Sequence, residues 1–240
     1  IMATRGDASL IGEGLATMSS GSELRLETED GSISLLSVGG IENGGDVDLG
    51  TVSSSAYAGS VDIIAGPADM DQGSSVSFAA GSSTASNGQG GGVDISAGAG
   101  STGGATKIQS GQGSTSAGDI IVTAGRSDTG KGGAVLIDGG NSYAVSGAGS
   151  VKVSGGVSSN DIGGSVVIEG GSSVSNGGSV WIVTGKSAHG NSGSAVALSA
   201  PSTVSSGDTV VGTGSSAEAS GSLVLSTGTS GTTVGDIVMT

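Results

Sequence analysis

From residue 31 onward the apolar residues come in short alternating bursts, separated by stretches of glycine, serine and threonine, and the bursts recur at a nearly constant step. Residues 163–179 read GGSVVIEGGSSVSNGGS and residues 177–194 read GGSVWIVTGKSAHGNSGS, one phrase written twice. Each copy starts at a glycine-like opener: Gly31, Gly45, Gly59, Ser74, Gly91, Gly104, Gly118, Gly133, Gly149, Gly164, Gly178, Gly193, Gly207, Gly221 and Gly235. Fifteen openers over 204 residues give a mean step of about 14.6. Two and four residues after each opener stand mostly Val, Ile or Leu, from Ile33 and Leu35 through Val166 and Ile168 to Ile237 and Met239. Alternation with period two, rich in β-branched residues, predicts a strand with one buried face and excludes an amphipathic helix.

Repetition at this period is the signature of a stacked array, in which no copy can bury its apolar pair alone. The expectation is an all-β parallel β-solenoid, or β-helix, of about 15 coils with two short strands in each coil of about 14–15 residues. The second strand of each coil falls in the serine-rich half, with Ser142, Ser158, Ser173 and Ser187 pointing into a thin interior. Glycines turn the corners, where positive φ carries little steric cost. Coils stacked at about 4.8 Å would make a rod about 70 Å long, opened locally by a charge at Ile168 or Ile182. Residues 1–30 are expected as an irregular coil or cap, and 31–240 as the array. The sequence GDIVMT at 235–240 starts another copy and stops halfway, which suggests a piece of a longer chain.

The residue between the two inward positions is predicted to face solvent, and its character changes along the chain. It reads Ser34, Asp48, Asp62, Ser77, Asp94 and Lys107, then Ile121, Leu136, Lys152, Val167, Trp181, Val196, Val210, Val224 and Val238. The later copies thus carry an outward apolar stripe of Val167, Trp181, Val196, Val210, Val224 and Val238, widened by Val183 and Leu198. A contiguous apolar surface is a contact surface, so these eight residues are the candidate interface. Strand preference of β-branched residues is the competing explanation.

Composition narrows the function classes. Fifty-one glycines with one Trp, one Phe and two Tyr leave too little side-chain volume for a thick core. Two prolines and no Gly-X-Y period exclude collagen. A net charge of −14 with seven scattered basic residues argues against nucleic acid as a partner. No apolar run reaches membrane-spanning length, so membrane insertion is not expected. The absence of cysteine excludes disulfides and thiolate chemistry.

Motifs with chemical content are few. His189 is the single histidine and sits in a turn-like stretch, with nothing around it resembling a nucleophile elbow. GAGSTG at 98–103 matches G-x-G-x-x-G by the chance that so many glycines create, and VTGKS at 183–187 lacks the first glycine of a phosphate loop, having Val180 there. Asp46, Asp48, Asp62, Asp69, Asp71 and Asp94 offer oxygen to a hard cation, but the nonapeptide calcium repeat is missing. Arg5, Gly6 and Asp7 form an isolated RGD. The outward column lacks the threonine ranks of an ice-binding face, and no Asn-x-Ser/Thr sequon occurs. No catalytic, cofactor-binding or metal-binding residue is assigned, and the chain is not expected to be an enzyme.

The copies GGSVVIEGGSSVSNGGSVWIVTG and GSLVLSTGTSGTTVGDIVMT resemble the Gly/Ser-rich repeats of very large surface proteins of stramenopile and other microalgae. The resemblance covers nearly everything after Gly31 and implies extracellular fibre or coat material, as in flagellar hairs and wall layers. It is to a repeat, so no functional residue is carried over. The expected function is an extracellular, cell-surface structural protein that self-associates into a fibre, filament or surface layer by coil stacking and lateral apolar contact. An adhesin stalk or a carbohydrate- or ice-binding module, with glycan contacts on the serine-rich turns, is the alternative.

Overall fold

A computed structural model describes residue 20 and residues 24–28, 32–37, 45–51, 53, 55, 58–69, 72–144 and 147–240. Gly31, Asp71 and the RGD at residues 5–7 lie outside the described residues. Among the described residues there is no helix and no strand. The expectation of a β-solenoid, or β-helix, is therefore wrong: the apolar bursts recur, but consecutive described bursts are not joined by a backbone ladder. Alternation fixes which side chains of one segment share a face, whereas a sheet also requires two segments to pair. Here that pairing must overcome the backbone entropy of a chain with 51 glycines and few large side chains to bury.

What recurs instead is a closed loop. The N–H of an opener glycine donates to the carbonyl of the glycine that ends the preceding apolar burst, so that one backbone bond closes a neck across the serine-rich stretch. In the unit Ile1–Asp119 the necks are Gly91 to Gly81 at 2.9 Å, Gly104 to Gly98 at 2.9 Å and Gly118 to Gly111 at 3.1 Å. Earlier in that unit the Thr51 hydroxyl donates to the Gly59 carbonyl at 3.2 Å, a side-chain version of the same closure. In the unit Ile120–Thr240 five necks form, including Gly149 to Gly140 at 2.8 Å, Gly164 to Gly156 at 2.9 Å and Gly178 to Gly171 at 2.8 Å.

The chemistry of the neck explains its glycines. A Cβ on Gly149 would lie 2.8 Å from the Gly140 nitrogen, and one on Gly164 would lie 2.8 Å from the Gly156 nitrogen. Two backbones meet there with no room for a side chain. The expected role of the glycines in positive-φ corners is accordingly corrected: among the described residues only Gly147, at φ 84°, has that conformation. The residue just before the closing glycine is Ala, Ser, Gly or Thr in each neck, and Ser110, Ala124, Gly139, Gly155 and Gly170 are partly shielded there.

Serine shapes the tip of the loop. Two residues past the closing glycine, Ser127, Ser142, Ser158, Ser173 and Ser187 each accept a backbone N–H from two or three residues further on, at 2.9–3.2 Å. Such a bond holds a local turn in place of a ladder. These serines are exposed. They do not line an interior, and the second strand expected in the serine-rich half does not form.

From residue 194 to the end, the tips persist at Ser202, Ser216 and Ser230 without a neck bond. Ala200 replaces the closing glycine in the first of these copies; Gly214 and Gly228 keep it, and nothing in the structure explains why their necks are open.

No described side chain is buried. The chain exposes 24004 Å², against roughly 9,400 Å² for a compact protein of its 22.2 kDa. One hydrogen bond contributes about 1 kcal/mol net, and closing a loop of this length costs about 2 kcal/mol. The necks are thus local preferences that open and close readily.

Candidate functional site

Each apolar burst consists of a triplet directly after the opener, and the copy at Gly164 illustrates its surroundings. Val166 is 49% exposed, Val167 80% and Ile168 73%. The predicted inward and outward positions differ only through the first residue, which stands next to the neck. Ile168 and Ile182 are in solvent, so a charge at either meets water and opens no rod. The whole triplet, not its middle residue alone, is available for contact.

All eight candidate interface residues, Val167, Trp181, Val183, Val196, Leu198, Val210, Val224 and Val238, are exposed. Ile182, Ala195, Val196 and Ala197 of neighbouring copies line a shallow apolar hollow on either side of the neck between Gly185 and Gly193. That hollow includes one of the eight, Val196, and lies beside two others, Trp181 and Val183. Sequence reasoning missed the role of the neck, although the recurrence of a small residue and glycine at the end of each burst was a visible signal for it.

Electrostatics divide the two units. Ile1–Asp119 contains three basic and fourteen acidic residues, net −11, and Ile120–Thr240 four basic and seven acidic, net −3. In the first unit the triplets Val47-Asp48-Leu49, Val61-Asp62-Ile63 and Val93-Asp94-Ile95 place an exposed carboxylate between two apolar residues. In the second unit Val166-Val167-Ile168, Val180-Trp181-Ile182, Leu223-Val224-Leu225 and Ile237-Val238-Met239 are uninterrupted. The described ion pairs, Arg25 with Glu27 and Arg126 with Asp128, are exposed and two residues apart, and exposed pairs contribute little to stability.

The remaining sequence motifs fall into this loop geometry. GAGSTG is the loop closed by Gly98 and Gly104, and no helix follows it. His189 is exposed at the tip formed by Ser187 and Gly190, whose N–H donates to the serine hydroxyl at 2.9 Å. Among the described residues, Asp46, Asp48, Asp62, Asp69 and Asp94 included, no three acidic or histidine side chains converge on a point that would hold a metal ion. Among the same residues no helix is long and apolar enough to cross a membrane.

No protein-family model matches the chain, and neither a curated protein nor a solved structure shows significant similarity to it. The functional reading therefore rests on the exposed triplets and on the charge that accompanies them.

Proposed function

We propose that the chain is a structural repeat protein of a cell surface or extracellular matrix, which associates with further copies into a fibre, filament or layer by lateral contact of its apolar triplets. One observation carries this reading: every copy brings Val, Ile or Leu to solvent, and no described apolar side chain is buried by the rest of the chain. Apolar surface left this exposed is favourable to remove from water, at about 25 cal/mol per Å². Contact between chains supplies the burial that a single chain lacks. The repeats serve this role because each copy offers a similar triplet at a similar step, so many weak contacts add along the chain. The reading assigns no catalytic residue and no cofactor.

Electron microscopy across a concentration series, on the parent chain beside Trp181→Asp, Val210→Asp, tests it. Filaments or sheets from the parent that are lost in the variant support assembly through the second unit. Single chains from both at every concentration would overturn it, and glycan binding by such single chains would favour an adhesin.

A further inference from the structure

We infer that Asp48, Asp62 and Asp94 restrict the contact between copies to the second half of the chain, so that two copies join through residues 164–240 while their first halves stay outside the contact. This rests on the self-association reading above and adds which part of the molecule meets which. The occupant of the apolar triplets in the second half is the same region of another copy.

The inference follows from where the charges stand. Asp48, Asp62 and Asp94 are exposed at the centre of their triplets, each flanked on both sides by an apolar residue that contact would have to cover. Covering the flanks takes the carboxylate out of water too, and a buried carboxylate without a partner is strongly disfavoured. A second copy offers no partner there, since its first half presents the same carboxylates and is itself at −11. Single charges inside apolar segments are a known device against unwanted association.

The second half reverses each condition. Val167, Trp181, Val224 and Val238 occupy the corresponding centres, and the unit carries only −3. Two such halves meet with little repulsion and no desolvated charge at the triplet centres. Weak charge of either sign and apolar centres fit a copy of the same region better than a strongly basic or acidic partner.

Sedimentation velocity of the full chain over a concentration series tests the inference, with two variants that each remove three negative charges. Asp48→Val, Asp62→Val, Asp94→Val opens the triplets of the first half. Glu27→Val, Asp69→Val, Asp119→Val changes the charge of the same half equally, but outside the triplet centres. The expected result is association of the triplet variant at a concentration lower by on the order of tenfold, with the second variant close to the parent. Equal shifts in both variants, or none in either while the parent associates, would overturn the inference and leave self-association standing. A parent that stays monomeric beside a triplet variant that associates would overturn both, because the native second halves would then not join. No association in any of the three would overturn both.

Discussion

The units Ile1–Asp119 and Ile120–Thr240 use the same repeat but differ in what they present to solvent. Both close necks between glycines, at 2.9 Å for Gly104 with Gly98 after the Asp94 triplet and 2.8 Å for Gly178 with Gly171 after the Val167 triplet. Both turn their tips on serine, as at Ser83 and Ser173. Yet the triplet centre is a carboxylate at Asp48, Asp62 and Asp94, and an apolar side chain at Val167, Trp181 and Val224. The neck therefore forms after a carboxylate centre, Asp94, as it does after an apolar one, Val167. Glycine and serine shape each copy, and the central residue is left to determine what the copy does with other molecules.

The largest effect that would break this comparison comes from making the second half resemble the first. Val167→Asp, Val196→Asp, Val224→Asp is expected to abolish association in sedimentation, a loss of more than about a hundredfold given several kcal/mol for desolvating unpaired charges. Ser34→Asp, Ser77→Asp in the first half should change nothing, because that half is outside the contact. A matching loss from both would erase the distinction between the units.

A smaller effect separates the two glycines of one neck. Gly164→Ala and Gly178→Ala bring a Cβ to 2.8 Å and 3.0 Å from the facing nitrogen, whereas Gly156 and Gly171 have nothing within 4 Å of such an atom. The opener substitutions should lose the neck bond, worth about 1 kcal/mol locally, and shift the amide resonances on both sides of the loop. Gly156→Ala and Gly171→Ala should leave those resonances in place.

Smallest is the serine tip. Ser187→Ala frees the Gly190 N–H to water, and at an exposed site the cost should stay within about 0.5 kcal/mol. Temperature coefficients of the Gly190 amide would show the loss without a change at Gly193.

How far the sequence was readable follows from the range over which each feature acts. The repeat step and the triplets depend on neighbouring residues and were readable, whereas Ser142, Ser158, Ser173 and Ser187, expected in an inward-facing strand, hold exposed turns. The sheet was not readable. Val166, Ile168, Val180 and Ile182 have the alternation of a half-buried strand, but the same pattern is compatible with separate extended segments when no second segment pairs with them. Glycine misled in the same way: at Gly149 and Gly164 it is required by close backbone approach, which in the sequence looks identical to a positive-φ corner. Val167, Trp181, Val183, Val196, Leu198, Val210, Val224 and Val238 are exposed as expected, but so are the apolar residues of the other described copies, so exposure alone does not single these eight out. That Val166 and Ile168 are exposed as well could not be read, since it depends on no described side chain being buried.

Amide hydrogen exchange on the full chain, dilute enough to be monomeric, tests most directly whether the triplets are solvated and the necks alone carry recurrent backbone bonds. The expected result is slowing of only a few-fold, centred on the amides of Gly133, Gly149, Gly164, Gly178 and Gly193, with residues 166–168 and 180–182 exchanging as in an unfolded chain. Strong protection running through those triplets, copy after copy, would contradict it, because it would mean that the chain pairs its own segments and needs no other copy to cover them.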